Sequence, residues 1–206
     1  MRFEEEVGKI KREGVDKLMN YVRKSDFYTA PSSTAFHLSV AGGLLQHSIN
    51  VMKALRDILT DNGDGTYSYM LLGSEVAKIS EETLVLISLF HDICKTKFYT
   101  VEKRNKKIDG SWVEVDTFAI DDEIPYGHGE KSVMMLEAFM KLSLDEKMAI
   151  RWHMGFPEDF QGRNTFSQAV DKYPIIWALH TADLMASKFM EDKEDNRPGF
   201  GVAAGR

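Results

Sequence analysis

Apolar residues recur at three- and four-residue intervals over several stretches of the chain, the spacing that gathers them on one face of an α-helix. Val7, Ile10, Val15, Leu18, Met19 and Val22 outline such a face and predict an N-terminal helix over residues 3–24, weakened where Gly8 and Gly14 interrupt it. Leu44, Leu45, Ile49, Val51, Met52, Leu55 and Ile58 predict a second helix over residues 43–60, stopped by the turn-forming Asp61-Asn62-Gly63-Asp64-Gly65. Ser80-Glu81-Glu82-Thr83 offers a cap and early acidic residues for a helix whose next turns, residues 84–90, are almost wholly apolar; that helix belongs in the core. Helical spacing returns over residues 130–141, 144–152 and 174–190. Over residues 98–120 the pattern changes: Phe98-Tyr99-Thr100-Val101 and residues 112–118 flank a polar turn ending in Asp109-Gly110, which predicts a β-hairpin. The expected architecture is all-α, a helical bundle with a small β-hairpin insertion at about 98–120.

No repeat or composition shift marks a second unit. We expect one domain over residues 1–190, with its functional core at about 36–188, followed by a flexible tail over residues 191–206. At 206 residues such a chain buries a core without disulfides or a structural metal. Cys94 is the single cysteine, so no intramolecular disulfide forms, which fits a reducing compartment. The N-terminus is acidic where a secretion signal is basic and then apolar, and no apolar run approaches the roughly 20 residues of a membrane span. A cytoplasmic protein without a membrane partner is expected. A net charge of −6 opposes non-specific attraction to polyanions and argues against a duplex nucleic acid as partner. The acidic run beginning at Asp61 is not a calcium loop of the EF-hand type, because the position that needs a bidentate Glu holds Leu72.

Six histidines, His37, His47, His91, His128, His153 and His180, are the candidate chemistry, and His91 is followed directly by Asp92. Imidazole nitrogen mixed with carboxylate oxygen suits divalent ions such as Fe, Mn, Zn, Co or Ni, and the lack of paired cysteines excludes a thiolate site. The order Gly42-Gly43-Leu44-Leu45-Gln46-His47, then His91-Asp92-Ile93-Cys94-Lys95, then His180-Thr181-Ala182-Asp183 resembles the HD superfamily of metal-dependent phosphohydrolases from about Ser32 to Lys188. The resemblance implies a helical HD-domain bundle in which His47, His91, Asp92 and Asp183 bind one ion. His128 and His153, between the doublet and the last aspartate, resemble the binuclear branch, where two such histidines hold a second ion and the doublet aspartate bridges the pair. Without that branch, His128 is a loop residue and His153 a helix-end cap.

The resemblance implies catalytic roles for Asp92 and for Lys95 near substrate phosphate; Lys131, three residues after His128, is expected either to contact substrate phosphate or orient the leaving group, or to be a solvated surface lysine. His180 is expected to support a metal-bound carboxylate, His37 to sit at the pocket mouth or to be structural, and Cys94 to be core. Lys97, Lys103, Arg104, Lys106 and Lys107 form a basic concentration on the hairpin that either is solvated or draws in an anionic substrate. The leading expectation is hydrolysis of a phosphoester or phosphoanhydride in a small, nucleotide-like phosphorylated partner. Two alternatives remain open: a di-iron oxygenase of similar ligand order, and a single-strand nuclease.

Overall fold

The computed structural model describes residues 3–157 and 160–191. Its helices are α1 (Phe3–Val7), α2 (Val15–Lys24), α3 (Gly43–Ile58), α4 (Glu81–Phe90), α5 (His128–Glu137), α6 (Leu144–Trp152), α7 (Phe160–Lys172) and α8 (Ile175–Met185). Antiparallel β1 (Thr60–Asp61), β2 (Thr66–Leu71) and β3 (Ser74–Ser80) form one sheet, and β4 (Tyr99–Ile108) with β5 (Ser111–Ile120) forms the hairpin.

Helix α4 is the hub because residues 84–90 are buried on every side. Ser80 starts it, its side chain accepting the Thr83 amide at 3.1 Å. Helices α3 and α6 pack on this hub, α8 packs across α3 and α6, and α5 lies on α6. The approach of α5 is set by Gly129, where a Cβ would fall 2.2 Å from the Arg151 carbonyl oxygen, so only glycine lets the two backbones come this close. α6 begins with a capping box in which Ser143 and Glu146 satisfy each other's backbone amides.

Two expectations are corrected and one helix is added. The N-terminal segment is two helices, because Gly14 adopts φ +98° and turns the chain between them. The fold is mostly helical, but its sheets amount to more than a small insertion: β1–β3 also lie between α3 and α4. Tyr67 and Tyr69 point inward from β2, and Leu72-Gly73 make a two-residue turn with both φ positive. Helix α7 was not anticipated: Phe166, Ala169, Val170 and Tyr173 recur at helical spacing and pack with Trp152, Ile176 and Trp177 in a satellite cluster. Among the described residues no helix is long and apolar enough to cross a membrane. Most of the expected tail, residues 192–206, lies outside the described residues, but Glu191 is buried and not part of a frayed end.

A polar cluster ties the segment after α1 to α3, β2 and α4. Lys9 and Arg56 donate to Glu81 Oε1 at 2.8 and 2.5 Å, and the Tyr67 hydroxyl donates to Oε2 at 2.9 Å. Burial works against the charge, but these donors outweigh it and lower the Glu81 pKa to about 2. A depressed carboxylate contributes stability above its unfolded value that is lost as pH falls through the folded one. Urea midpoints should therefore fall as pH drops from about 4.5 toward 2, with a shallower fall in Glu81→Gln.

Candidate metal centre

Helix ends deliver most of the polar side chains at the centre. His91 follows the last residue of α4, and its Nδ1 donates to the Ser88 carbonyl at 2.8 Å. His153 stands in the same place on α6, with Nδ1 donating to the Ile150 carbonyl at 2.7 Å. Each imidazole thus satisfies a carbonyl that the helix end leaves open, and the bond fixes the proton on Nδ1 and leaves Nε2 a lone pair. His153 is therefore a helix cap and a member of the site at once. His128 opens α5, its Nδ1 3.3 Å from the Cys94 sulfur, and His47 projects from the second turn of α3.

These groups meet at Asp92, which is 3% exposed. Its Oδ2 lies 3.4 Å from His91 Nε2 and 3.7 Å from His47 Nε2, while its Oδ1 lies 3.2 Å from His128 Nε2 and 3.5 Å from His153 Nε2. Asp183, on α8, places Oδ1 3.1 Å from His47 Nε2. One carboxylate therefore faces two separate pairs of imidazoles through its two oxygens. His47, His91 and Asp183 form one cluster with metal-holding geometry, and Asp92 shares others with His91 and His153 and with Cys94 and His128.

His91 Nε2, His153 Nε2 and Asp92 Oδ1 are buried and have no hydrogen-bond partner among the described residues. Three convergent buried groups left unsatisfied are costly unless a cation takes their lone pairs. The donor set of imidazole and carboxylate fits a divalent ion of the borderline kind.

Electrostatics agree. Burial opposes the Asp92 charge, but Lys95 and the surrounding imidazoles overcome it and hold the carboxyl well below the usual carboxylate range; His47 does the same for Asp183. Burial lowers the His91 pKa, which favours the neutral ring that coordinates metals. At His47 burial is outweighed by Asp183 and Glu191 on its two nitrogens, which raise the pKa to about 9, so a cation taken up there would exchange for the Nε2 proton.

Lys95 ends a 3-10 turn, not an α-helical one, and the three-residue period eclipses it with Asp92, setting Nζ 2.7 Å from Oδ2. The Asp92 charge raises the lysine pKa against its burial. Lys131 stands apart: it is buried against Asp122, with Nζ 5.2 Å from the Phe98 ring centre. Cys94 is core, its thiol pushed up to about 12 by burial. His37 stacks 4.9 Å from the His47 ring, and burial lowers its pKa to about 4.

His180 does not support a metal-side carboxylate as expected. Its Nδ1 instead donates to the His153 backbone carbonyl at the end of α6, at 2.6 Å. The hairpin's basic end is solvated: Lys103 and Arg104 are exposed and pair with Glu114 and Glu102 of the hairpin itself. Sequence reasoning missed Glu191, which accepts from His47 Nδ1 at 2.8 Å. Nothing in its local pattern marked it, since it follows the last helical turn.

A model of the HD domain family matches residues 44–174, a stretch that holds His47, His91, Asp92, His128 and His153 and stops short of Asp183. No curated protein and no solved structure matches the chain. The match spans more than half of the sequence and its histidines and aspartate meet in one buried cluster, so the chain belongs to the HD domain family, a superfamily of metal-dependent hydrolases.

Proposed function

We propose that this protein is a phosphohydrolase that cleaves a phosphoester or phosphoanhydride bond of a small, nucleotide-like substrate and works with two divalent transition-metal ions. The observation that supports this most is the division of histidines between the two Asp92 oxygens, His47 and His91 on one and His128 and His153 on the other, with the Lys95 ammonium beside them. On this reading His47, His91 and Asp183 hold one ion, His128 and His153 hold the other, and Asp92 serves both. Bound divalent ions supply Lewis acidity toward phosphoryl oxygen and bring the pKa of water toward neutrality.

The remaining roles belong to charged side chains. Lys95 places a fixed positive charge where negative charge grows on the transferred group. Lys131 is the second cation of the reading; it serves phosphate only by exchanging Asp122 for it, so its contribution is the smaller. His128 and Asp183, whose side chains are 30% and 16% exposed, border the side from which a substrate enters.

A panel of nucleotides, phosphomonoesters and a single-stranded oligonucleotide, assayed for released phosphate and for cleavage with each of Mn, Fe, Co, Ni and Zn, tests the reading. Turnover of a small nucleotide with unchanged rate under anaerobic conditions is expected. Turnover that stops without dioxygen would move the assignment to oxidation, and cleavage of the oligonucleotide alone would move it to a nuclease. Lys95→Ala should lower kcat/KM by roughly ten- to a hundredfold, the loss of a charge-assisted contact, while metal content measured by mass spectrometry stays at the wild-type value.

A further inference from the structure

Four of the site's imidazoles have Nδ1 committed, but their partners differ. His91 and His153 use backbone carbonyls and His128 faces the Cys94 sulfur, whereas His47 alone donates Nδ1–H to a carboxylate, Oε1 of Glu191, at 2.8 Å. The Glu191 side chain is 0% exposed. Asn50, one turn after His47 on α3, donates to the same oxygen at 3.3 Å and is itself tied to Gln46, whose Nε2 donates to Asn50 Oδ1 at 2.8 Å. The backbone brings Glu191 here through a π-helical turn, Ala186–Met190, that continues α8 and packs on α3; the wider turn is how a residue directly after that helix reaches inward.

We infer that Glu191 is a positioning residue for the metal centre, fixing the ring orientation and tautomer of His47 so that Nε2 faces Asp183 and Asp92. This rests on the metal-dependent reading above and adds to it a residue beyond the stretch that the family model matches. The physics is that of a carboxylate behind a ligating imidazole. Accepting Nδ1–H leaves the lone pair on Nε2, and the negative charge raises the basicity of that lone pair. The buried carboxylate also keeps the ring from turning about its Cβ–Cγ bond, because a turned ring would leave Oε1 with Asn50 alone. Metal retention thereby becomes coupled to the docking of the segment after α8 onto α3.

The test uses the full chain stripped of metal and titrated with Co2+, followed by the visible absorption of the bound ion and by competition with a chelator. Glu191→Ala should weaken Co2+ binding by roughly ten- to a hundredfold, and Glu191→Gln, which keeps an oxygen to accept Nδ1–H, by less than Glu191→Ala. Added Co2+ should restore turnover to Glu191→Ala, whose ligands are intact, but not to His47→Ala. Circular dichroism of Glu191→Gln should match wild type, which separates positioning from misfolding. Wild-type affinity in both Glu191 variants overturns the role of Glu191 alone. A wild-type chain that binds no Co2+ overturns the metal reading and this inference together.

Discussion

Asp92→Asn should lower kcat/KM for the hydrolysed substrate by at least about a thousandfold, at or beyond the upper end of what one oxyanion-hole donor contributes. The substitution keeps the side chain's shape and removes its charge. Both oxygens of Asp92 face the site, Oδ2 toward His47, His91 and Lys95 and Oδ1 toward His128 and His153, so the amide fails both halves of the site together. Asp92→Ala is the harsher change and should also destabilise the fold. It strands the Lys95 ammonium, only 8% exposed, without its counter-charge, and breaking a buried pair from one side costs about 3–5 kcal/mol. Thermal melts of the two variants beside wild type, with turnover measured at matched folded fraction, check both parts. Turnover by Asp92→Asn near the wild-type rate would remove the aspartate from the chemistry.

On the proposed two-ion reading, metal content should fall to one ion per chain in His128→Ala and in His153→Ala, while His91→Ala should lose more, because His91 lies in the cluster with His47 and Asp183 and also in the one with Asp92 and His153. With one ion the residual turnover should be small, since a two-ion site supports both the attacking and the leaving oxygen. Elemental analysis after dialysis against each metal gives the stoichiometry. A wild-type chain that stays at one ion under saturating metal, or a His153→Ala chain that still holds two, would reduce the centre to a single ion.

The parts of this fold that could be read from the chain are those in which local pattern and tertiary role coincide. Residues 144–152 show both a capping serine and helical spacing, and α6 has those bounds. Residues 84–90 are apolar on every face and became the hub. The β4–β5 hairpin followed from its change of period and from Asp109-Gly110 at its turn. Where the pattern was weak the reading failed. Strands β1–β3 are short and half polar, and the apolar face of α7 is confined to its second half, where Phe166, Ala169 and Val170 pack in a small cluster apart from the main core.

By itself, the sequence determined the residue types that converge, since histidines and aspartates in this order and number leave a divalent cation as the common chemical solution. It also determined the elements that carry them, because their spacing follows from hydrogen bonds between neighbours in the chain. Only the tertiary structure decided which oxygen of Asp92 faces which histidine, that Lys131 turns to Asp122, and that His180 serves a backbone carbonyl. Those outcomes depend on how helices far apart in the chain dock, and Glu191 is the extreme case, 144 residues from the His47 ring it holds. No local pattern encodes a contact whose free energy is settled by packing at that separation.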